Sequence, residues 1–285
     1  LVAAVATATA SASQLIDRDA AGVKLAVNDK GEALLTYSAQ GKLKHVLAWG
    51  ALNGIAPTHA RAQVAFDLDY AGGWGKYHRD YYKTFGARCG AYDGPVLHWL
   101  VTACTAADGS YWAVQKWQRM LPNYGLTPNA QSGVWELRLS HWTGPIAQLA
   151  ISTDWSWHQW DHLYGTYTYN GKPTFGFKSK ASGDPLDSFG RNVYVDTLDS
   201  AYGAGWKREN SFLVHNPTGV FCYSVNPHGA RPAGKGARYR ATVIGPGVTP
   251  DVYWEGASPG TYDRDADLVA NDAITQLGDK LCRAN

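Results

Sequence analysis

The amino-acid sequence predicts a mainly β fold, either a β-sandwich or two packed antiparallel β-sheets, with long loops and one or two peripheral helices. Short segments in which apolar and polar residues alternate recur along the chain and are separated by turn residues. The 285 residues include 31 Gly, 13 Pro, 12 Trp and 17 Tyr, a composition typical of turn-rich β proteins. No repeat of fixed length is evident, so a propeller or a solenoid is not expected.

Residues 1–13, LVAAVATATASAS, allow two interpretations. An apolar stretch that ends in small residues is typical of the remnant of a secretory signal peptide. The same segment alternates Ala with Val, Thr or Ser, which favours a β-strand of the mature protein. Either interpretation implies export, so we expect a secreted, extracellular protein.

The first half of the chain, residues 14–125, is predicted to be rich in β-strands. Its alternating apolar residues predict an antiparallel three-stranded meander over residues 22–50, with turns at Gly31 and Gly41. A further alternating segment predicts a strand at 64–70.

Residues 71–93 are rich in glycine, aromatic and charged side chains and predict a long ordered loop. After this loop, apolar residues at helical spacing predict a short helix, with Asp93 as its N-cap and Pro95 in its first turn. The apolar positions of this predicted helix are Val96, Trp99, Leu100 and Ala103. A strand is predicted at 111–120, and the Pro-, Asn- and Gly-rich residues 121–133 are the best candidate for an internal boundary.

The second half, residues 134–285, is predicted to contain several strands and to end in a helix. The strands are predicted at 134–142, 146–155, 163–169, 174–178, 192–196, 212–215, 220–225 and 239–244. The Asn170-Gly171 pair between two of them is typical of a two-residue hairpin turn. Apolar residues every three or four positions predict a C-terminal helix at 268–282, with Asp267 as its N-cap. The two halves are either separate domains or parts of one.

Four cysteines, an even number in a chain expected to be exported, predict two disulfides. The simplest of the three possible pairings joins Cys89 to Cys104 and Cys222 to Cys282. No C-x-x-C pair and no Cys/His spacing of a zinc site is present in the sequence.

The densest cluster of polar and aromatic residues is the segment 154–162, DWSWHQWDH. In a helix, its two histidines, His158 and His162, would share one face and could hold a metal ion. The flanking residues have the pattern of strands, and in a strand the two histidines would lie about 13 Å apart. We therefore expect no metal ion in this segment, and no cofactor is indicated elsewhere.

Glycoside hydrolysis requires two carboxyl groups at a defined separation, and the sequence offers only weak candidates for such a pair. These candidates are Glu136, Glu209, Asp154 and Asp161. Glu136 lies near Arg138 in an alternating strand and Glu209 follows Arg208, so ion pairs are the simpler role for both. No cysteine in a catalytic context is present. The sequence therefore favours a protein that is not an enzyme.

Aromatic side chains next to Asp and Asn are the second feature of the sequence that bears on function, because they suit the binding of a sugar. A pyranose ring has an apolar face and polar edges, and exposed aromatic rings with nearby polar groups suit both. The candidate ligand-binding residues are Trp155, Trp157, Trp160 and Tyr164. Rings of this kind also fill protein cores and pin long loops.

Three functions are compatible with the sequence. The favoured one is an extracellular structural protein, a filament or coat subunit that assembles through an N-terminal β-strand. The alternatives are a carbohydrate-binding module or adhesin, and a secreted hydrolase acting on glycans. The net charge is only +2, without a block of Lys or Arg, so a nucleic-acid partner is not expected. No apolar run approaches the roughly 18–20 residues of a membrane helix. The expected partner is a second copy of the chain, with glycans as the alternative.

Overall fold

The computed structural model describes residues 13–55, 60–118, 134–156, 160–174, 178–179, 185–186, 193–200, 203–208, 220–225, 236–243 and 245–277. Its strands are β1 (Gln14–Arg18), β2 (Ala21–Val27), β3 (Ala33–Ala39), β4 (Lys42–Trp49), β5 (Asp67–Asp69), β6 (Gly90–Ala91), β7 (Leu100–Thr105), β8 (Tyr111–Gln118), β9 (Trp135–Trp142), β10 (Gln148–Ser156), β11 (Trp160–Tyr169), β12 (Lys172–Pro173), β13 (Lys178–Ser179), β14 (Pro185–Leu186), β15 (Val193–Ser200), β16 (Gly203–Arg208), β17 (Val220–Val225), β18 (Arg238–Val243) and β19 (Val252–Ala257). The helices are α1 (Trp74–Tyr77) and α2 (Arg264–Gln276). The chain is mainly β, as the sequence predicts.

Two antiparallel sheets from the first part of the chain pack face to face. The first sheet has the strand order β1-β9-β8-β7-β6, and the second has the order β2-β3-β4-β5. Alternate residues of both sheets point into one shared core, which includes Leu35 and Tyr37 on β3, Trp112 on β8, and Leu137 and Leu139 on β9. Each large apolar side chain buried in this way contributes about 1.5–3 kcal/mol. We call this unit the first sandwich.

Two further sheets form a second core. In the third sheet, β11 pairs with β10 along one edge and with β12 and β17 along the other; the fourth sheet has the order β16-β15-β18-β19. Their shared core includes Leu163, Tyr167, Val195, Tyr239 and Ala241. Helix α2 packs on β10. Strands β13 and β14 pair separately with each other. We call the third and fourth sheets the second sandwich.

Several local predictions are confirmed. Strands β2, β3 and β4 form the meander expected over residues 22–50, with tight turns at Gly31 and Gly41. The Asn170-Gly171 turn joins β11 to β12, and both residues have positive φ angles, 50° and 69°. Such angles are what a two-residue hairpin turn of this type requires, and Asn and Gly adopt them at the lowest cost.

The prediction of a short helix that follows Asp93 in the sequence is wrong. The apolar residues from Leu100 to Cys104 instead form β7, which pairs with β8 over its whole length. Short apolar runs match helical and strand spacing about equally well, and here pairing with a neighbouring strand decided the outcome. Cys104 on this strand bonds to Cys89 with a Cα–Cα distance of 5.7 Å, which confirms the predicted first disulfide. Cys282 and the side chain of Cys222 lie outside the described residues.

The C-terminal helix is confirmed, but it begins at Arg264 rather than at residue 268. Its N-cap is Asp263, whose carboxylate accepts hydrogen bonds from the backbone N–H groups of Asp265 and Ala266 at 2.9 and 3.0 Å. Asp267, the predicted N-cap, is buried inside the first turn. Asp263 has the required residue type, and the apolar spacing alone placed the start one turn too late.

The remaining differences concern strand boundaries. The strand expected at 64–70 shortens to β5. The strands that were not predicted are β1, β6, β12, β14, β16 and β19. The first sheet takes strands from both sides of the predicted boundary, because β9 pairs with β8 and β1. The interpretations of residues 1–13 and the strand at 212–215 concern positions outside the described residues, Ser13 excepted. No helix in the described part of the chain is long and apolar enough to cross a membrane.

Candidate functional site

The fourth sheet carries charged residues on one face. Along β15, Val195 points into the core of the second sandwich, so the next residue, Asp196, points to the opposite face. Asp196 lies at the centre of a cross-strand row, opposite Arg208 on β16 and opposite Arg240 on β18. The strand register therefore places one carboxylate between two guanidinium groups.

The row is held together by charge-assisted hydrogen bonds. Arg240 donates from Nε to Oδ2 of Asp196 at 2.7 Å, and Arg208 donates from Nε to Oδ1. Arg208 Nη2 also donates to the backbone oxygen of Gln118 on β8, at 3.4 Å, which connects the row to the first sandwich. All three charged residues are buried. Because buried charges are stable only when paired and hydrogen-bonded, this row fixes both arginine side chains in place.

Aromatic rings fix the Arg240 guanidinium further. Its central carbon lies 4.3 Å from the ring centroid of Trp206 and 5.2 Å from that of Trp99, distances typical of cation–π contacts. Trp99 has a φ of 61°, a left-handed conformation that is rarely adopted by bulky residues. Backbone strain of this kind persists where the surrounding structure enforces it, commonly at ligand sites.

A cavity of about 240 Å³ lies against this row, between the two sandwiches. Its lining residues are Trp99, Trp117, Gln118, Trp135, Asp196, Trp206, Arg208, Arg240 and Thr242. Four of them are tryptophans and two are arginines. The volume is below the range of about 300–1,000 Å³ that is common for drug-sized ligands, so the cavity suits one ring-sized group. We call this site the Trp/Arg pocket.

A fully buried carboxylate supports one wall of the pocket. Asp251 accepts hydrogen bonds from Trp117 Nε1 at 2.9 Å and from the hydroxyl of Ser13 at 2.8 Å. Gln115 on β8 bonds both backbone groups of Asp251, at 3.0 Å each. Burial raises the pKa of Asp251, and the nearby positive charge of Arg138 opposes that rise. These bonds fix Trp117 against the second sandwich.

The carboxyl groups proposed for catalysis lie elsewhere. Glu136 is buried on β9, with Arg138 Nη2 at 2.7 Å and Arg18 Nη2 at 3.5 Å from its carboxylate, the ion-pair role considered from the sequence. Asp154 lies on β10 opposite His162 of β11. Asp161 is opposite Trp155 in the same hairpin, but its side chain is not described, and Glu209 lies outside the described residues. A catalytic role for any of them stays a prediction.

The tryptophans proposed for ligand binding are not those of the pocket. Trp157 and the side chains of Trp155 and Trp160 lie outside the described residues. Tyr164 is buried beneath α2, against Ala270 and Ile274. The strands on either side of His158 form the hairpin β10–β11, and His158 itself is not described. In the part of the chain that the structure describes, no three His, Cys, Asp or Glu side chains are grouped to hold a metal ion.

A buried serine and a buried histidine lie beside an exposed aspartate in the first sandwich, but the three are in the wrong order for a catalytic triad. The hydroxyl of Ser110 lies 2.9 Å from Nε2 of His141 and 2.6 Å from Oδ1 of Asp108, so the serine and not the histidine contacts the carboxylate. In a triad the carboxylate orients the histidine. Ser110 and His141 are 1% and 6% exposed, so no substrate reaches them.

Sequence reasoning missed the Trp/Arg pocket because its residues come from distant segments. One signal was available: Asp196 and Arg240 alternate with residues of apolar type on segments that were correctly predicted as strands. Charged residues on the second face of such strands indicate either a solvent-exposed face or a polar site. None of the known protein families, curated proteins or solved structures compared with the chain matches it.

Proposed function

We propose that this chain is an exported carbohydrate-binding protein and that the Trp/Arg pocket is its ligand site. The observation that carries the proposal is a ring-sized cavity lined by four indole rings and two fixed arginines. A carbohydrate-binding module or adhesin was one of the alternatives compatible with the sequence. The residues now proposed to bind the ligand differ from those that the sequence suggested.

The chemistry of the lining suits a sugar. The C–H groups on one face of a pyranose are apolar and carry a small positive charge, and they pack on the electron-rich face of an indole ring. The hydroxyl groups at the ring edge accept hydrogen bonds from guanidinium groups. The pocket offers both kinds of group, and Trp135 at its rim is 37% exposed, so a longer saccharide has a ring to contact on leaving the cavity.

A fluorescence titration tests the proposal. Soluble oligosaccharides of varied composition are added to the purified chain, and tryptophan emission is followed. At least one is expected to bind, and Trp206→Ala is expected to weaken its binding at least tenfold, or about 1.4 kcal/mol. Trp74→Ala is the matched control, since Trp74 is 53% exposed and lies on α1, outside the pocket. The proposal fails if no saccharide binds, or if both variants weaken binding equally.

Export is part of the proposal. Disulfides persist in oxidising compartments, and the Cys89–Cys104 bond supports an extracytoplasmic location. Fractionation of the producing cells, with the chain detected in each fraction, checks it. Recovery of the full-length chain only from the cytoplasm, with its thiols reduced, is the opposite result.

Self-assembly through an N-terminal strand is the second candidate. One observation favours it: Ser13 is fully buried and leads into β1, the edge strand of the first sheet. Ser13 therefore lies next to a sheet edge, where unpaired backbone groups accept another strand. Deletion of residues 1–12, which keeps the buried Ser13, is expected to abolish oligomers in size-exclusion chromatography. A monodisperse full-length monomer excludes this candidate.

A further inference from the structure

The orientation of Arg240 leaves its outer edge available. Its Nε is used by Asp196, at 2.7 Å, and its flat face by Trp206, at 4.3 Å. In the described part of the chain, no oxygen accepts a hydrogen bond from its two terminal Nη atoms. Arg240 lines the cavity, and 11% of its side chain remains exposed. The Nη pair is therefore the donor that a bound ligand meets.

The charge of the site favours an anion. Arg240 receives only Oδ2 of Asp196, because Oδ1 accepts from Arg208. Glu255, which lies opposite Arg240 on β19, pairs with Arg238 at 2.7 Å. A buried guanidinium that receives only part of a carboxylate gains from a further negative group nearby. The surrounding indole rings lower the local dielectric constant, which strengthens that attraction relative to the protein surface.

The shape of the donor selects among anions. A guanidinium presents two parallel N–H groups in one plane, and a planar carboxylate accepts both. The guanidinium is held by Asp196 and Trp206, so this fork loses little conformational entropy when it binds. A ring with a carboxylate attached is also smaller than a ring with a tetrahedral sulfate ester, and the cavity has only about 240 Å³.

We infer that the sugar bound in the Trp/Arg pocket carries a carboxylate, as uronic acids do, and that the terminal Nη atoms of Arg240 hold it. The inference rests on the proposed function and adds the class of ligand to it. It makes Arg240 the residue that distinguishes acidic sugars from neutral ones, while the indole rings contact both.

The first test changes the ligand and leaves the protein intact. Binding of a uronic-acid oligosaccharide is measured by calorimetry beside three counterparts: its methyl ester, the neutral sugar of the same linkage, and a sulfated sugar. The uronate is expected to bind at least tenfold more tightly than each of them, because only the uronate offers a planar anion. Equal affinity for the uronate and its methyl ester overturns the inference, and so does preferred binding of the sulfated sugar.

The second test changes the protein. Arg240→Gln is expected to weaken binding of the uronate at least tenfold more than it weakens binding of the methyl ester. Arg238→Gln is the matched control on the same strand, because Arg238 is 53% exposed and pairs with Glu255 at 2.7 Å. Equal loss of uronate binding in both variants overturns the inference.

The two proposals fail in different ways. If neutral sugars bind and Trp206→Ala weakens them while the carboxylate has no effect, the carboxylate inference is wrong and the proposed function stands. If no sugar binds at all, the proposed function is wrong and the inference falls with it. Because the first test needs no variant, the inference stays testable even if Arg240→Gln does not fold.

Discussion

The hydroxyl of Ser13 donates a hydrogen bond to the carboxylate of Asp251, across 238 positions of sequence. Both residues are almost fully buried, and the bond is 2.8 Å long. Ser13 also contributes its carbonyl oxygen to Arg138 Nη1 at 2.9 Å. The beginning of the first sheet is thus bonded directly to the loop that precedes β19, so the two sandwiches share one polar junction.

We predict that Ser13→Ala lowers the free energy of unfolding by about 1–3 kcal/mol, because it leaves a buried carboxylate oxygen short of one donor. Ser140→Ala is the control: Ser140 is equally buried, but its hydroxyl has no hydrogen-bond partner among the described residues. Urea unfolding of both variants measures the difference. A Ser140→Ala variant that loses as much stability as Ser13→Ala would falsify the role given to the junction.

Burial of His141 is expected to make the stability of the first sandwich sensitive to acid. Burial lowers the pKa of His141 to about 4, even though the carbonyl of Ala51 and the charge of Asp108 favour the protonated form. The unfolded chain, with a histidine pKa near 6.5, binds the proton more readily than the folded chain between these two values. Stability contributed by the neutral ring is therefore present above pH 6.5 and lost as the pH falls towards 4.

The loss amounts to about 3 kcal/mol if the whole shift is expressed in stability. Urea unfolding between pH 7 and pH 4 measures it, with His141→Gln for comparison. The variant is expected to be less stable at pH 7 but to show a shallower pH dependence over this window. Parallel pH profiles for the two proteins are the contrary result.

Glu32 anchors the loop 71–93 to the meander. Its carboxylate accepts hydrogen bonds from Lys76 Nζ at 2.9 Å, from Tyr81 Oη at 2.9 Å and from Tyr77 Oη. Burial alone would raise the pKa of Glu32, but the hydrogen bonds from Tyr77 and Lys76 outweigh it and lower the pKa to about 2. The stability from this ionised carboxylate is present above pH 4.5 and lost as the pH falls towards 2.

We predict that Glu32→Gln lowers the free energy of unfolding at pH 7 by about 3 kcal/mol, because four donors, including Asn28 Nδ2 at 2.8 Å, lose their charged acceptor. Limited proteolysis is expected to cut the loop 71–93 faster in this variant. Asp80→Asn is the control, since Asp80 forms an exposed pair with Lys83 in the same loop. Equal cleavage rates in both variants contradict the anchoring role.

The Cys89–Cys104 disulfide closes a loop of 15 residues. A bridge of that span stabilises by about 3 kcal/mol, mainly by restricting the unfolded chain. The Cys89→Ser and Cys104→Ser double variant is expected to lose about 2–4 kcal/mol relative to the oxidised chain. Urea unfolding under non-reducing conditions measures the loss. Unchanged stability, or no response of the parent chain to a reductant, contradicts the prediction.

The sequence predicts those elements whose signals are local. The meander follows from alternation and from Gly31 and Gly41, and the hairpin follows from Asn170-Gly171, because turn geometry depends on two adjacent residues. Strand β7 was misassigned because its identity depends on β8, with which it pairs. Local spacing carries no information about that partner.

The Trp/Arg pocket was not predictable in the same way. Trp99, Trp117 and Trp206 are adjacent only after two sandwiches have formed and docked, and nothing in their own neighbourhoods marks them. The sequence instead drew attention to the tryptophans around His158, which are dense locally. Density along a chain and proximity in space are different properties, and only the second makes a pocket.

The cross-strand row of Arg208, Asp196 and Arg240 also fixes the register of β15 against its two neighbouring strands. If β15 slipped by one residue against its neighbours, Val195 or Thr197 would face the arginines and the carboxylate would enter the apolar core. A slipped pairing would therefore bury the carboxylate on one face of the sheet and the guanidinium groups on the other. The cost in free energy would be much larger than that of a mismatch between apolar side chains. The same three residues thus set the register of the sheet and line the Trp/Arg pocket, so a substitution that changes the lining of the pocket also affects the alignment of the strands.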